Sequence, residues 1–267
     1  MKTEDIQDSD TMVRVEHLDA GYGSTVILED VNLSVRRGEV FVLLGGSGCG
    51  KSTLMRHIIG LTPPLGGRVV LCGEVFASAE EDVAEDVRSG LLRRIGVMYQ
   101  SGAMFGSMSL LENVRLPLEE YTKLPQDMMD EIARLKLEQV GLGDFTDYLP
   151  AEVSGGMQKR AAIARAMALD PDVLFLDEPS AGLDPVTSAG LDALILRLRD
   201  AFGTTVVMVS HELASIFAVA DRAAYIDREA RGVLETGTPA ALRDGSAHEA
   251  VRHFFNRGRL PSTTTGV

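Results

Sequence analysis

The 267-residue sequence has no tryptophan, only two cysteines and no long apolar run. Cys49 and Cys72 are too few to form a zinc site alone and show no CxxC spacing, so we expect a reduced, intracellular protein. The longest apolar runs, such as residues 40–44, have the length of a strand and not the roughly 20 residues that cross a bilayer. If the protein works at a membrane, another chain must supply the membrane-spanning segments.

Positive charge is also scarce. The sequence has 26 Lys and Arg against 39 Asp and Glu, a formal net charge of −13. This excess of acid disfavours nucleic-acid binding, which needs a basic face, and it disfavours electrostatic docking on an anionic lipid surface. Residues 1–11 form an acidic leader without the apolar segment of a secretory signal, and we expect no such signal here.

Strand-like segments alternate with amphipathic helical segments, which predicts an α/β fold with a mostly parallel sheet. Residues 74–88 are predicted to be a solvated acidic loop. His211 is expected to open a helix, and a hairpin is expected around Arg231 and Gly232. Strands are predicted at 13–18, 31–35, 40–44, 173–176 and 204–209, and helices at about 51–60, 110–120, 126–140, 154–168 and 185–202.

A glycine-rich segment between the buried strand at 40–44 and the following helix fits the pattern GxxxxGK[ST], the Walker A pattern. Glycines let backbone N–H groups approach phosphate oxygens, and the helix N-terminus favours an anion. Lys51 can reach the β- and γ-phosphates, and the Ser52 hydroxyl suits Mg²⁺. The segment therefore predicts a nucleoside triphosphate site formed by Gly45, Gly46, Ser47, Gly48, Cys49, Gly50, Lys51 and Ser52, with Thr53 directly after it.

The buried strand at 173–176 ends in two acids. Asp177 is predicted to hold Mg²⁺, directly or through water. Glu178 points in a different direction, because side chains alternate along a strand, and it can polarise an attacking water. Together with the glycine loop, this pair predicts hydrolysis of the bound nucleotide.

A third motif, Ser154-Gly155-Gly156-Met157-Gln158, begins a helix shortly before that strand and offers a second set of anion-binding N–H groups. With these three motifs in this order, residues 13–238 resemble the ATP-binding cassette family, the ATPase subunits of ABC transporters. The resemblance implies a P-loop NTPase fold with a RecA-like core, an antiparallel β subdomain and an inserted helical subdomain at about 103–165. It places the ATPase domain at 12–245 and a C-terminal helix and tail at 246–267.

The same resemblance implies roles for further residues. Tyr22 is similar to the aromatic that stacks on adenine, and Gln100 to the glutamine that joins the core to the helical subdomain beside the nucleotide and its Mg²⁺. Asp184 belongs to a loop, residues 180–184, that crosses the dimer interface, and His211 resembles the histidine that contacts the γ-phosphate while Glu178 acts on the water. The family signature of one copy, here Ser154, Gly155, Gly156 and Met157, completes the ATP site of the other copy.

Methionine at 157 replaces the glutamine that is usual in the family, which leaves the dimer contact of that position open. The resemblance implies ATP and Mg²⁺ as cofactors, a homodimer, and integral-membrane permease partners. It also implies a peripheral location at the cytoplasmic face of the inner membrane.

A narrower resemblance, to the ATPases of Mce/Mla-type lipid transporters, rests on Met157 and on the segments 99–105, 112–114, 116–118 and 120–125. It implies phospholipid or related cargo and an Mce-domain lipid-binding partner. Met104, Phe105, Met108 and Asn113 are candidates either for a groove that receives the permease or for packing inside the helical subdomain. An ATPase for another cargo, such as amino acids, metal ions or lipoproteins, is the alternative within transport.

Other classes fit less well. Soluble cassette ATPases of DNA repair or translation tend to carry coiled-coil inserts or two cassettes, and this sequence has one cassette and no heptad run. A P-loop kinase or GTPase would leave Ser154–Gly156 and His211 without a role, and no NKxD segment is apparent. The presence of Glu178 and His211 disfavours a regulatory module that does not hydrolyse ATP.

Two smaller features give further predictions. Alkylation of Cys49 should block ATP binding, and ATP should protect the thiol, unless this residue is only an inert filler of the loop. Near the end of the chain, Ser246 and Glu249 are predicted to form a capping box for a helix with an apolar stripe at Ala247, Val251, Phe254 and Phe255. That helix and the basic tail, with Arg252, Arg257 and Arg259, either pack on their own domain or reach a second copy through residues 260–261.

Overall fold

The computed structural model describes residues 10–256, which contain two sheets. The strands are β1 (Thr11–Tyr22), β2 (Thr25–Arg36), β3 (Val40–Gly45), β4 (Gly66–Leu71), β5 (Glu74–Ser78), β6 (Ile95–Met98), β7 (Val173–Asp177), β8 (Thr205–Val209), β9 (Arg222–Asp227) and β10 (Gly232–Gly237). An antiparallel sheet has the strand order β2-β1-β4-β5, and a six-stranded sheet has the order β10-β9-β3-β8-β7-β6. Neighbours in the second sheet run parallel except β9 and β10.

Helices cover the six-stranded sheet. They are α1 (Lys51–Ile58), α2 (Glu85–Leu92), α3 (Leu110–Tyr121), α4 (Gln126–Gln139), α5 (Gly155–Ala166), α6 (Pro185–Phe202), α7 (Leu213–Val219), α8 (Pro239–Gly245) and α9 (Glu249–Phe255). Helices α3, α4 and α5 pack on one another beside the sheet. The helix limits follow the sequence: Asp184 caps α6 with Pro185 at its first position, and Gly203, with φ of 66°, ends it. No helix among the described residues is long and apolar enough to span a bilayer.

The uninterrupted apolar sequence of β3 reflects burial on both faces of its sheet. Val40, Val42 and Leu44 belong to a core shared with α3 to α6, whereas Phe41 and Leu43 belong to a second core shared with α1 and the antiparallel sheet. The carboxyl ends of parallel strands lie at one edge of a sheet. Since β8 lies between β3 and β7, the glycine loop after β3, the acids at the end of β7 and His211 after β8 come together at that edge.

The structure confirms the predicted α/β fold, the strands that bear motifs and the hairpin, here β9 and β10. Two local predictions are wrong. The acidic segment 74–88 contains β5 and the start of α2, because the consecutive residues Phe76 and Ala77 are both buried in the core although the acids around them are exposed. His211 does not begin a helix, because α7 starts at Leu213 with Glu212 as its N-cap.

The predicted capping box at Ser246 and Glu249 is also wrong. His248 is the N-cap of α9, and the Ser246 hydroxyl instead accepts a hydrogen bond from the His248 backbone N–H at 3.1 Å. Ala247 is exposed. Val251, Phe254 and Phe255 are buried in the core of their own domain, with the Phe254 ring 5.6 Å from that of Tyr225. The rest of the predicted tail, and most of the predicted leader, lie outside the described residues.

Candidate active site

The glycine loop between β3 and α1 needs glycine at two points. Gly45 has a φ of 150°, and a Cβ there would lie 2.3 Å from the carbonyl oxygen of Ile226. Gly50, the N-cap of α1, has a φ of 106°. The Nζ of Lys51 lies 3.0 Å from the carbonyl oxygen of Gly45 and 2.9 Å from that of Gly46. The loop therefore wraps the lysine ammonium at a helix N-terminus, the arrangement that binds phosphate.

The other predicted residues of this loop divide between its outer and inner sides. Ser47, Gly48 and Ser52 are exposed, whereas Cys49 and Thr53 are buried. The Cys49 sulfur lies 3.8 Å from the Lys51 Nζ, on the inner side of the loop. Ser52 is thus free to meet a ligand or its metal at the start of α1, and Cys49 lies under the phosphate-binding backbone.

Asp177, the last residue of β7, has the character of a metal ligand. Its Oδ1 is buried and has no hydrogen-bond partner among residues 10–256. Burial first, and then the negative charge of Glu178, raise the pKa of Asp177, while the charges of Arg56, Lys159 and Lys51 act against that rise. A divalent cation would provide the missing partner and favour the ionised form, so the residue fits the Mg²⁺ role predicted for it.

Glu178 and His211 lie together at the same edge of the sheet. The His211 Nδ1 is 2.5 Å from the Glu178 Oε2. Glu178 has a φ of 50°, in the left-handed region that non-glycine residues seldom adopt, and its N–H donates to the Val209 carbonyl at 3.0 Å. Strained backbone of this kind is concentrated at functional sites. Here it turns the second acid away from the direction of the strand and toward the histidine that follows β8.

Tyr22, predicted to meet the adenine, is exposed at the end of β1, and its hydroxyl lies 3.2 Å from the Thr53 hydroxyl. The preceding residue, Gly21, is held by His57, which sequence reasoning did not single out. The Nε2 of His57 lies 3.0 Å from the Gly21 nitrogen and 3.1 Å from its carbonyl oxygen. Helix α1 therefore supplies a phosphate-binding N-terminus, and its His57 also fixes the end of β1 that carries Tyr22.

The signature segment opens α5. The Ser154 hydroxyl caps the helix by accepting from the Met157 N–H at 3.3 Å, and Gly155 is exposed. Gly156 is buried, and a Cβ there would lie 2.5 Å from the Thr187 Cγ2. Met157 packs against the main core, so its side chain replaces a polar glutamine by an apolar contact within its own chain.

One cavity of about 710 Å³ joins three of the predicted site residues, since it is lined by Gln100, Gly155 and Asp177. Lys159, which also lines the cavity, donates to the Gln100 carbonyl oxygen. Sequence reasoning missed the roles of Lys159 and of Arg56, the two further cations near Asp177. Both were visible as charges shortly after a motif, four residues after Gly155 and five after Lys51, but only the fold shows that they face the same carboxylate.

Asp184 has a local partner in the described structure. Its Oδ1 accepts from the N–H groups of Val186 and Thr187, at 3.0 and 3.1 Å. The hydrogen bond from the Thr187 hydroxyl, together with these backbone bonds, lowers the pKa of Asp184. The carboxylate therefore caps α6 and fixes the end of the 180–184 loop.

Asn113 does not line a docking groove. It is fully buried, accepts from the Phe105 N–H at 2.8 Å and donates to the carbonyl oxygens of Met108 and Ser109. Its amide thus fixes the loop at 105–109, which corrects the groove interpretation for this residue in favour of internal packing. Met104 also packs on the core, while Phe105 is 51% exposed.

The structure instead has an apolar groove, called here the α1–α3 groove, between the end of α1, strand β6 and helix α3. None of Met104, Phe105, Met108 and Asn113 lines it among the described residues. Leu61 is 58% exposed beside it. The groove is lined by Ile59, Leu61, Leu92, Ile95, Val97, Tyr99, Pro117, Tyr121 and Leu169, with Arg165 at one side.

Residues 28–181, more than half of the chain, match the ABC transporter family, and the chain belongs to that family. The phosphate-binding loop, the acid pair and the signature helix thus lie in an ABC-type ATPase, an enzyme that hydrolyses ATP.

Two groups of relatives stand out by sequence. The intermembrane phospholipid transport system ATP-binding protein MlaF of Haemophilus influenzae is 37% identical over 86% of this chain and 85% of its own. MlaF of Escherichia coli K12 is 40% identical over 75% of this chain and 73% of its own. The probable ribonucleotide transport ATP-binding protein mkl of Mycobacterium leprae is 37% identical over 93% of this chain and 70% of its own.

Solved structures agree with this family. CbiO1 of Clostridium perfringens, part of the ABC transporter complex cbiONQ, has a TM-score of 0.78 with 29% identity, over 94% of this chain and 96% of its own. The ATP-binding cassette MJ0796, solved as a dimer in a post-hydrolysis state bound to ADP and Pi, has a TM-score of 0.74 with 29% identity, over 85% and 98%. These likenesses confirm the predicted fold.

Proposed function

We propose that two copies of this chain bind and hydrolyse ATP between them and thereby drive a membrane permease that moves phospholipid. The observation that carries the lipid part is the 37% identity to a phospholipid-transport ATPase over 85% of that protein's length. Phospholipid is the cargo we favour, and an Mce-domain protein is the expected lipid-binding partner. A ribonucleotide, named for the mkl relative, is the competing cargo.

The pairing of two copies is supported by the geometry of the signature segment. Within residues 10–256, the hydrogen bonds of Ser154 are confined to the first turn of α5, with the N–H groups of Met157 and Gln158. Ser154 and Gly155 are exposed, so the N–H groups of this turn can meet the phosphates held by the glycine loop of a second copy. The dimer of the MJ0796 cassette agrees with such pairing.

In this scheme each residue of the candidate active site has a separate role toward ATP. Lys51 and the loop N–H groups hold the phosphates, and Tyr22 meets the adenine. Ser52, Gln100 and Asp177 are the candidates for holding Mg²⁺, which neutralises charge on the phosphates. Glu178 orients and polarises the attacking water, and His211 contacts the γ-phosphate from its position against Glu178.

The permease is expected to dock in the α1–α3 groove. Its apolar lining suits an amphipathic helix, and it adjoins α1 and Tyr99, next to Gln100. A helix seated there would sense any movement of the phosphate-binding helix. This gives the chain a peripheral place on the cytoplasmic side of the membrane, held by its partner.

Affinity purification of the tagged chain from detergent-solubilised membranes tests this function. Mass spectrometry should find an integral-membrane permease and an Mce-domain protein, and the complex in vesicles should transfer a fluorescent phospholipid only with Mg-ATP. A complex that lacks an Mce-domain chain and carries labelled ribonucleotide, but no lipid, would show that the cargo is wrong while the ATPase role holds.

A further inference from the structure

Three buried polar side chains are linked in series from the middle of α6 to the turn that follows Glu178. The Asp192 Oδ2 accepts a hydrogen bond from the Ser215 hydroxyl at 2.8 Å. The Ser215 oxygen lies 3.5 Å from that of Ser180. All three residues are at least nine-tenths buried, with exposures of 6%, 1% and 3% for Asp192, Ser215 and Ser180. These three side chains thus connect helix α6, helix α7 and the loop at 180–184.

Ser180 is the inward anchor of that loop. The Ala181 N–H donates to the Glu178 carbonyl and the Leu183 N–H donates to the Ser180 carbonyl, both at 3.1 Å, so two tight turns follow Glu178 directly. Gly182 and Asp184 are exposed, whereas the Ser180 side chain points into the protein toward Ser215. A displacement of Ser180 would therefore move both Glu178 and the exposed part of the loop.

The carboxyl group of Asp192 is energetically unfavourable at its position. The residue's neighbours in sequence, Leu191, Leu194 and Ile195, belong to the apolar core, whereas Asp192 lines a cavity of about 680 Å³ between α6 and α7, together with Ser188 and Glu212. Its Oδ1 is buried without a hydrogen-bond partner among residues 10–256. Burial, together with the charge of Glu212, raises the pKa of Asp192. An unfavourable buried acid of this kind more often serves a site than the stability of a core.

We propose that Asp192 is a positioning residue for ATP hydrolysis, which acts through Ser215 on Ser180 and so fixes Glu178 and the 180–184 loop. The inference rests on the proposed function, in which Glu178 acts on the water, and on the family resemblance, which implies that the 180–184 loop crosses the dimer interface. Because the carboxylate only accepts, the Ser215 hydroxyl is oriented toward it, and the Ser215 oxygen is left to accept from the Ser180 hydroxyl. Loss of the acid frees both hydroxyls to rotate.

Steady-state kinetics of the full chain, or of its transporter complex, test this role. We expect Asp192→Ala and Ser215→Ala each to lower kcat about tenfold, the effect of one lost charged hydrogen bond, with the Kd for ATP unchanged. Asp192→Asn, which keeps an acceptor oxygen, should restore most of the rate. Asp200→Asn, the same change on the same helix at an exposed position, should leave kcat at the wild-type value.

A double-mutant cycle separates positioning from simple destabilisation. If the three residues act as a unit, Asp192→Ala combined with Ser180→Ala should lower kcat no further than the stronger single variant. Additive losses, a wild-type kcat in Asp192→Ala, or a loss matched by a fall in bound ATP and in Tm would overturn the proposal. Glu178→Gln measured in parallel distinguishes the two levels, because normal turnover in that variant would refute the proposed role of Glu178 itself.

Discussion

The Nδ1 of His211 lies 2.5 Å from the Oε2 of Glu178, which ties the residue after β8 to the residue after β7. An ionised carboxylate only accepts hydrogen bonds, so the Nδ1 must carry the proton in this pair. In a neutral ring the Nε2 is then an acceptor. A phosphate oxygen needs a donor at Nε2, which the neutral ring in this tautomer does not offer.

Replacing Glu178 by Gln should preserve ATP binding and nearly abolish turnover. The amide keeps the size and an acceptor oxygen but cannot take a proton, so we expect kcat to fall by about a hundredfold or more. Because ATP then persists between the copies, size-exclusion chromatography with Mg-ATP should show a stable dimer. Glu229→Gln, an exposed acid in the β9–β10 turn, should change neither property. Normal turnover in Glu178→Gln would mean that another group activates the water.

Cysteines at positions 47 and 154 should form a disulfide between two copies. We expect Ser47→Cys with Ser154→Cys, in a chain with Cys49→Ser, Cys72→Ser and Glu178→Gln, to yield a product of twice the mass under oxidation with Mg-ATP. Ser89→Cys on α2, in place of Ser154→Cys, should give none. Failure of the 47–154 product with ATP bound and turnover blocked would contradict the head-to-tail pairing.

The α1–α3 groove gives a prediction for the permease contact. Leu61 is 58% exposed at this groove, and Leu135 on α4 is 54% exposed and does not line it. We expect Leu61→Ser to lower the amount of permease that co-purifies several-fold, because the variant removes apolar area from the contact. Leu135→Ser should retain the permease, and both variants should keep the Tm of the wild type. Equal recovery of permease with both variants would place the docking surface elsewhere.

The glycine loop and the acid pair could be predicted from sequence because each depends on local geometry. A strand followed by closely spaced glycines, Lys51 and Ser52 forms a loop whose backbone N–H groups and lysine bind phosphate. Parallel strands then bring Asp177 to the same edge of the sheet. Predicting the contact between Glu178 and His211 from local sequence requires knowledge of the strand order, which places β8 beside β7. Local patterning could not supply that order.

The errors have a common physical cause, which is that tertiary contacts override local signals. The acidic composition of 74–88 concealed β5, whose Phe76 lies in the core and is fully buried. Ser246 has the spacing of a capping box with Glu249, yet its hydroxyl donates to the Glu235 carboxylate and accepts from the His248 backbone N–H. For Asn113 the sequence left a groove contact and internal packing both open, and the hydrogen bonds of its amide with the backbone of its own loop decide for packing. His57 and Asp192 gave no signal, because α1 and α6 each carry several polar residues and only the fold shows which of them are buried.

The two cysteines allow a labelling experiment with an internal control. Cys49 is buried under the phosphate-binding loop, and Cys72 lies in the turn between β4 and β5, where burial raises the pKa of its thiol. We expect Mg-ATP to slow the alkylation of Cys49 by about tenfold or more, because bound phosphates hold the loop over the buried sulfur and suppress the local opening that alkylation needs. The rate at Cys72 should not change. Equal rates at Cys49 with and without Mg-ATP, followed by peptide mass spectrometry, would make this residue an inert filler.

His57 should make the stability of the protein depend on pH. Burial lowers its pKa from the ordinary 6.5, so the folded protein favours the neutral ring that accepts from the Gly21 N–H. The unfolded chain binds the proton more readily. This contribution is therefore complete above pH 6.5 and is lost as the pH falls through the lowered pKa of the folded state.

Chemical denaturation of wild type and His57→Gln from about pH 8 to about pH 5 measures the effect. The wild type should lose up to about 1.4 kcal/mol of unfolding free energy per pH unit more than the variant, the slope of one proton. His253→Gln is the matched control, because His253 is exposed on α9, and it should keep the wild-type slope. Parallel pH profiles for wild type and His57→Gln would show that the protein tolerates a charged ring at Gly21.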